Sequence, residues 1–453
     1  MNLFSIAWKS IKQRALTSTL TSLSVSLGVM LMVTILVLNG VISRQFRQTG
    51  SGYDLIVGPA GSATDLVLST IYRMAPPIEN LPWRYYEELK ADSRIAHAIP
   101  FTFGDTTEIG NFPIIGTTIE YFTIDYMPGR KFGLTSGDWN TNTWEAVIGS
   151  HVAKENGWKV GSQFKLVHAG VNDHVHDEKF TVTGILGKTN TPNDRTVFVN
   201  LGGFFALAGH EKPVNEAIEG EAQFFGEPLE KVRTKYAKEL QMIDELTIKE
   251  GPHAGHYHGP VPDFQKEVTS ILVKMAAPDN RQTVAQARAR ELSSEMRAGL
   301  KTQAVNPVMV MEMLVTNLVG NIKLVLLVLT WLIIIISGIG IFVSIYNSMS
   351  ERRKEIAIMR ALGADRSQIL LIIMCESVLL CFLGGLVGML LGHVMVFIAA
   401  PIIESRAQLL IEPWAYDFYE IYIIPGMIAL AIIVGFIPAM SAYRTNVSEH
   451  LNS

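Results

Sequence analysis

Six of the eleven histidines in this chain are concentrated in two short segments. The first segment reads H-A-G-V-N-D-H-V-H-D-E and the second reads H-A-G-H-Y-H. Imidazole nitrogens bind zinc, copper and nickel, and a His-x-His pair in a strand places both rings on one face. The sequence therefore predicts a site for zinc or another divalent transition metal at His168, His174, His176, His253, His256 and His258.

Other interpretations of these histidines stay open. Two polar, solvated loops would have the same composition, because no fixed ligand spacing of a known metal site is matched. Histidines also titrate near neutral pH, so a pH-sensing role is a further alternative. A membrane-anchored metalloenzyme is disfavoured, because the sequence contains no H-E-x-x-H motif and the histidine clusters are assigned to an apparent insertion.

Nucleotide chemistry is not expected from this chain. The segment Gly187–Thr189 resembles the end of a phosphate-binding G-x-x-x-x-G-K-[ST] loop, but Val182 stands where the first glycine is needed. Without that glycine the backbone cradle for phosphate is not specified. We therefore predict a non-catalytic chain that binds no cofactor apart from the metal hypothesis above.

A charged segment from Ser350 to Gly363 lies between two apolar stretches and has the periodicity of a short amphipathic helix. Gly363 supplies the break that commonly ends a helix. Such a helix either lies on the bilayer surface or docks into a soluble partner. The residues assigned to this contact are Glu351, Arg352, Arg353, Glu355, Ile356, Met359, Arg360, Leu362 and Gly363.

The apolar stretch that follows carries two further features. Gly384, Gly388 and Gly392 repeat every four residues and predict close packing against another helix in lipid, whose identity the sequence does not indicate. Glu376 is a carboxylate within the same stretch, where an unpaired charge is costly. It is either a structural or interface residue or a proton site on a transport path.

These residues must be positioned by membrane helices and a soluble domain. The chain has 453 residues, of which 48% are hydrophobic, and four apolar stretches are long enough to cross a bilayer core of ~30 Å. We predict an α-helical membrane protein with four transmembrane helices and a large α+β extracytoplasmic domain between helices 1 and 2. The predicted order begins with an interfacial helix at 1–15, a first span at 16–40 and the extracytoplasmic domain at 41–317, which has an insertion at about 211–263. A second span follows at 318–347, and a region at 348–368, which contains the charged segment, connects it to a third span at 369–400. An outer loop at 401–420, a fourth span at 421–442 and a tail at 443–453 complete the order.

Lysine and arginine near the ends of the spans predict the orientation. The loop at 401–420 holds only Arg406, whereas the other side holds Lys9, Lys12, Arg14, Arg444 and the basic residues of the charged segment. The basic side is cytoplasmic, so both termini are inside and the large domain is outside. The net charge of −4, without a basic block, gives no indication of nucleic-acid binding.

Within the outer domain, alternation and β-branched residues predict strands and 3.6-residue periodicity predicts helices. The insertion is expected to hold one polar helix at 229–246. Strands are expected at 53–57, 146–148, 160–167, 180–186, 196–199 and 270–275, and helices at 83–90, 201–208 and 281–300.

The run E-R-R-K-E-I-A-I-M-R-A-L-G-A, followed by Glu376 and a glycine-rich span, resembles the permease subunits of MacB/FtsX/LolC-type ABC transporters. The order V-I-G-S-H-V-A, V-G-S-Q-F-K-L, F-T-V-T-G-I-L and V-F-V-N-L is similar to the extracytoplasmic domain of MacB-type permeases. The resemblance covers both ends of the chain closely and the middle loosely. It implies that the charged segment at 348–368 is a coupling helix seated in a groove of a cytoplasmic ATPase.

The same resemblance implies a multi-pass protein of the bacterial inner membrane, working as a dimer with a second copy or a paralogue. Two copies of a separate ABC ATPase would bind ATP and magnesium, and their closure would move the periplasmic domain (mechanotransmission). Export or extraction of cargo, with a periplasmic adaptor or substrate-binding protein as a further partner, is one hypothesis. The other is an FtsX-like signalling subunit that regulates a periplasmic hydrolase. The large outer domain favours the first.

Overall fold

The computed structural model describes residues 3–48, 52–168, 175–207, 209–246, 260–277, 282–351, 358, 360, 363–407, 414, 416 and 418–444. The chain divides into two compact units. One contains the chain ends, Met1–Arg44 and Val315–Ser453, and the other is the intervening stretch Gln45–Leu314. In chain order the α-helices are α1 (Leu3–Gln13), α2 (Ala15–Gln48), α3 (Ala63–Val67), α4 (Trp83–Lys90), α5 (Ser150–Asn156), α6 (Leu201–Phe205), α7 (Val214–Phe225), α8 (Leu229–Lys235), α9 (Ala237–Leu246), α10 (Gln282–Gly299), α11 (Pro307–Leu314), α12 (Gly320–Glu351), α13 (Arg366–Ala407) and α14 (Ile423–Arg444).

Within the described residues of the first unit, four helices carry stretches that are long and apolar enough to cross a membrane. They run over Ala15–Val41, Leu327–Asn347, Arg366–Ile403 and Phe418–Met440, with the last starting in a 3₁₀ turn at Phe418–Tyr422. The prediction of four transmembrane helices with an α+β domain between the first and second is confirmed. The spans are helical because a helix satisfies its backbone polar groups internally, and they are apolar because their side chains face the hydrocarbon core.

The second unit is built on a mixed β-sheet. Its strands are β1 (Leu55–Pro59), β2 (Leu81–Pro82), β3 (Ile95–Thr107), β4 (Pro113–Thr117), β5 (Asp125–Met127), β6 (Arg130–Lys131), β7 (Leu134–Gly137), β8 (Glu145–Ile148), β9 (Gln163–Phe164), β10 (Leu166–His168), β11 (Phe180–Leu186), β12 (Val197–Asn200), β13 (Glu267–Val268), β14 (Ser270–Met275) and β15 (Thr302–Val305). The main sheet has the order β15-β1-β14-β3-β4-β12-β8-β11-β7, with β10 paired to β3 and β9 paired to β11.

The long strand β3 connects two halves of this sheet. Its first half pairs antiparallel with β14, and its second half pairs with β4 and β10. The register shifts between Phe103 and Thr106, around Gly104 at φ +148°. An irregularity of this kind bends a strand and redirects its side chains. One apolar cluster packs around α10 and β14, and a second packs around α6, β11 and β12.

Several sequence predictions agree with these bounds. The helix at Trp83–Lys90 and the strands at Phe180–Leu186 and Ser270–Met275 are found as expected. The single strand expected at 160–167 is wrong: the chain forms β9 and β10, which pair with different neighbours. A turn at Lys159–Ser162 precedes β9, with Gly161 at φ +90°, so the first residues of the expected strand are not extended.

The single helix expected at 229–246 is also wrong. The segment forms α8 and α9, separated at Tyr236, and α7 precedes them. Tyr236 leaves helical geometry because its hydroxyl bonds the buried carboxylate of Glu221 at 2.8 Å and its ring packs on Phe264. The helical periodicity of the sequence carries no information about such a tertiary contact.

Candidate functional site

Strand register places Asp105 and His168 side by side. In the antiparallel pair of β3 and β10, His168 lies directly opposite Asp105, so both side chains project from the same face. The His168 Nδ1 atom lies 2.8 Å from Asp105 Oδ1. The side chain of Asp105 is only 3% exposed, whereas that of His168 is 38% exposed.

His176 reaches the same face by returning alongside β10. Val175 bridges Val167, and the backbone N–H of His176 donates to the carbonyl of Leu166 at 3.0 Å. Leu166 and His168 are two residues apart and share a face, so His176 and His168 are diagonal neighbours. Their ring centroids are 4.5 Å apart.

His210 approaches from a different part of the chain. It follows α6, and its backbone N–H donates to the carbonyl of Leu207 at 3.2 Å. Its ring packs against Phe204 at a centroid distance of 4.3 Å. Its Nε2 atom lies 3.1 Å from Asp105 Oδ2 and 3.2 Å from His176 Nε2. We call Asp105, His168, His176 and His210 the His/Asp cluster; their ligand atoms all lie within 4.8 Å of one another.

The surroundings of His176 in the His/Asp cluster disfavour its protonated, positively charged form. Burial, followed by the neighbouring His210, lowers the pKa of His176 to about 4. His176 is therefore neutral at pH 7 and one of its ring nitrogens keeps a lone pair. Two buried atoms of the cluster, Asp105 Oδ2 and His210 Nδ1, have no hydrogen-bond partner among the described residues. Asp105 Oδ2 nevertheless lies 3.1 Å from the other ring nitrogen of His210, Nε2. Three imidazoles and one carboxylate are an N/O ligand set suited to zinc and similar divalent ions.

The predicted histidines therefore have different outcomes. The structure brings His168 and His176 together, while His174, His253, His256 and His258 lie outside the described residues. Asp105 and His210 were missed by the sequence reasoning. No local signal identifies them, because Asp105 is one acid within a long strand and His210 is a lone histidine beyond α6.

The charged segment is described only in part. Arg352, Arg353, Glu355, Ile356, Met359 and Leu362 lie outside the described residues. Glu351 is the last residue of α12. Gly363 has φ +99° and its N–H donates to the carbonyl of Arg360 at 3.1 Å, which is a turn conformation that favours glycine. After this turn, the N–H of Asp365 donates to Gln368 Oε1 at 3.2 Å, a capping arrangement at the start of α13.

The glycine stripe of α13 faces α2. A Cβ atom at Gly384, Gly388 or Gly392 would lie 3.0, 2.7 or 2.6 Å from the Cβ of Val25, Val29 or Val33, respectively. These valines are buried. The hydroxyl of Thr34 also lies 3.5 Å from the carbonyl oxygen of Gly392. The absence of side chains on the glycines thus allows the two helix backbones to approach closely.

Two acidic side chains are buried among the residues of the membrane unit that the structure describes. Glu376 on α13 is 7% exposed. Glu420, at the start of the fourth span, is 1% exposed, and its Oε2 atom lies 3.1 Å from Nε2 of His393, whose ring stacks on Trp414. His393 and Glu420 were not singled out from the sequence, because their pairing joins two different helical segments.

Two family models match this chain. The model for the MacB-like periplasmic core domain matches residues 18–291, and the model for the C-terminal part of FtsX-like permeases matches residues 327–447. The first covers more than half of the chain. The second covers most of the last three spans and the charged segment between two of them.

Individual proteins are similar to all or part of this chain. An uncharacterised ABC transporter permease of Methanocaldococcus jannaschii is 23% identical over 99% of this chain and 97% of that protein. The macrolide export ATP-binding/permease protein MacB of Rhodopirellula baltica is 27% identical over 41% of this chain and 27% of that protein, so the chain matches about a quarter of that relative's length. The periplasmic region of MacB from Actinobacillus actinomycetemcomitans is similar at 13% identity and a TM-score of 0.31, over 58% of this chain and 94% of that one. By the two family models, the chain belongs to the MacB/FtsX family of ABC transporter permeases, multi-pass inner-membrane proteins with a periplasmic domain between the first two spans.

Proposed function

We propose that this chain is the membrane subunit of an ABC transporter in which a separate cytoplasmic ATPase drives movements of the periplasmic domain, for export or extraction of cargo. The observation that carries the proposal is the domain order. A MacB-like periplasmic core domain stands between the first two spans, and the FtsX-like spans follow it. The two ends of the periplasmic domain are therefore connected to membrane helices.

The length of α12 supports a mechanical role. The helix runs over 32 residues, Gly320–Glu351. At 1.5 Å per residue this corresponds to ~48 Å of helix, more than the ~30 Å hydrocarbon thickness of a bilayer. The helix ends at Glu351, the second residue of the charged segment. A displacement of that segment would be carried along this helix through the membrane rather than absorbed in a loop.

The partners follow from the same proposal. The full sequence has no phosphate-binding loop, so ATP and magnesium would be bound by a separate ATPase, in two copies. The permease would act as a dimer with a second copy or a paralogue, and a periplasmic adaptor or substrate-binding protein would deliver or receive the cargo. The match to the MacB-like core domain over 18–291 favours export or extraction over the FtsX-like regulation of a hydrolase.

The coupling contact can be tested in the charged segment. Ile356, Met359 and Leu362 form a narrow apolar stripe in the sequence, which would stabilise a protein–protein contact by only a few kcal/mol, at ~25 cal/mol per Å². Met359→Asp would place an unpaired charge in this contact, with an expected cost of about 2–4 kcal/mol. We expect loss of the co-purifying ATPase and of coupled ATPase activity in membranes.

Arg352→Glu is the matched control in the same segment. Arg352 belongs to the same proposed contact but would pair at its polar rim, where exposed ion pairs contribute about 0–1 kcal/mol, so Arg352→Glu should keep most of the activity. If the Met359→Asp variant keeps both its ATPase partner and its coupled activity, the segment is not the coupling helix.

A further inference from the structure

We infer that the periplasmic domain holds a divalent transition-metal site of the zinc type, with Asp105, His168, His176 and His210 as its ligands. The site is distinct from the transport proposal and does not depend on it. Its four side chains come from β3, from β10 with the return segment at Val175–His176, and from the chain just after α6. Three of them are almost completely buried: Asp105, His176 and His210.

The distances fit a metal ion bound at the centre of the cluster. Zinc–nitrogen bonds of 2.0–2.1 Å in a tetrahedron place neighbouring ligand atoms ~3.3 Å apart. In the structure, His210 Nε2 lies 3.2 Å from His176 Nε2. The two oxygens of Asp105 lie 2.8 Å from His168 Nδ1 and 3.1 Å from His210 Nε2, respectively. With one ligand atom from each residue, the four atoms lie within 4.8 Å of one another, so the widest pair would have to approach by at most ~1.5 Å to reach tetrahedral spacing.

Buried polar atoms of the cluster support a cation. Asp105 Oδ2 has no hydrogen-bond partner within the described part of the chain, although it lies 3.1 Å from His210 Nε2. His210 Nε2 and His176 Nε2 lie 3.2 Å apart. A divalent cation would bind lone pairs of these groups together and would offset the charge of the buried carboxylate.

The ligand types select the class of metal. Calcium and magnesium prefer six or more oxygen ligands, and the cluster offers one carboxylate. Copper(I) prefers thiolate or thioether sulfur, whereas imidazole and carboxylate suit zinc, cobalt(II) and nickel. Four protein ligands also fill a tetrahedral shell and leave no open position, which indicates a binding or structural site rather than a hydrolytic one.

An ion at this site would connect two parts of the domain. His210 stands a few residues before α7, whereas Asp105 and His168 belong to the sheet. The bound metal would therefore hold the start of the α7–α9 segment against β3 and β10. The half-exposed ring of His168 provides the open side through which an ion would enter.

The test uses the full chain, purified in detergent without a polyhistidine tag and stripped with a chelator. Zinc is titrated against a chromophoric chelator, and cobalt(II) is added separately to record the strong visible absorption of a tetrahedral site. We expect one tight equivalent per chain. His210→Ala and His168→Ala should each weaken zinc affinity by at least ~100-fold, since even second-shell changes cost 10–100-fold.

The matched control is His97→Ala. The His97 Nδ1 atom also contacts a carboxylate, Glu120 at 2.6 Å, and its side chain is 39% exposed, close to the 38% of His168. This variant should bind zinc as the unmodified chain does. His168→Ala also removes a partly exposed ring, so it tests the site even if His210→Ala disturbs folding.

Three results would overturn the inference. The first is the absence of a tight equivalent in the unmodified chain. The second is equal zinc affinity in the His168→Ala, His210→Ala and His97→Ala variants. The third is loss of the tight equivalent in a variant without His253, His256 and His258 while His168→Ala retains it, because the metal would then be bound by the other histidine segment.

Discussion

At the scale of single residues, one buried carboxylate organises the contact between α4, α7 and the α8–α9 junction. Glu221 is 1% exposed and accepts hydrogen bonds from Arg84 and Lys235, both at 3.2 Å, and from the hydroxyl of Tyr236 at 2.8 Å. Arg84 also pairs with Glu88 at 2.9 Å, but the side chain of Glu88 is 52% exposed. The same guanidinium thus pairs with one buried and one solvated carboxylate, and it makes a third ion pair with Glu227 at 2.9 Å.

This pair of glutamates gives a controlled comparison. Glu221→Ala should lower the free energy of unfolding by about 2 kcal/mol, because it removes a buried carboxylate that accepts from Tyr236 and from the partly exposed Arg84 and Lys235. Glu88→Ala should lower it by less than about 1 kcal/mol. Denaturant unfolding of the full chain in detergent, followed by tryptophan fluorescence, measures both. Equal losses would show that Glu221 contributes no more than a surface charge.

A second residue-scale prediction concerns acid. Hydrogen bonds from Arg84 and then from Lys231 lower the pKa of Glu227 to about 2. Because the folded pKa lies below the ordinary carboxyl value near 4.3, the ionised form stabilises the fold above that value. The contribution is lost as the pH falls from about 4.5 towards 2.

The Glu227→Gln substitution removes this dependence of the folding stability on pH. Its unfolding midpoint should fall less steeply than that of the unmodified chain between about pH 4.5 and pH 3. Glu219→Gln, at an exposed position on α7, should keep the original slope. An unchanged slope in the Glu227→Gln variant would mean that other carboxylates dominate the acid response.

At the scale of elements, the close contact between α2 and α13 depends on the absence of side chains at the glycines of α13. A Cβ atom at Gly388 would lie 2.6 Å from the carbonyl oxygen of Ser26 and 2.7 Å from the Cβ of Val29. Alanine is normally favoured over glycine in a helix by ~1 kcal/mol, but overpacking costs about 1–3 kcal/mol. Gly388→Ala should therefore lower the thermal unfolding midpoint in detergent.

Gly385 on the same helix is the control. A Cβ atom there would lie 3.6 Å from Met427 Cγ, an ordinary contact, so Gly385→Ala should leave the midpoint unchanged or raise it. If Gly388→Ala is as stable as Gly385→Ala, then α2 and α13 do not pack closely at this point in detergent.

At the scale of the whole molecule, the membrane separates the chain into two aqueous environments. Glu88, with a side chain 52% exposed on α4, belongs to the periplasmic domain, and Ile358, 47% exposed, belongs to the charged segment. In a background with Cys375→Ala and Cys381→Ala, a membrane-impermeant maleimide should label Glu88→Cys in spheroplasts but label Ile358→Cys only after lysis. Labelling of both variants before lysis would contradict the orientation.

The sequence by itself determined the features that depend on local composition. A bilayer requires a continuous apolar helix, so the four spans are visible as apolar runs, and the asymmetry of lysine and arginine indicates their orientation. The position of Gly363 likewise predicted a turn, because a positive φ favours glycine whatever lies around it. The resemblance in the charged segment then indicated the family.

The tertiary structure decided which distant residues meet. Asp105 joins His168 only because β3 and β10 pair in one register, and a shift by one residue would point the side chains to opposite faces. His210 reaches them because α6 packs on the same side of the sheet, and α2 is the partner of the glycine stripe. Side-chain periodicity is a property of neighbours along the chain, whereas strand register and helix pairing depend on the packing of the whole domain.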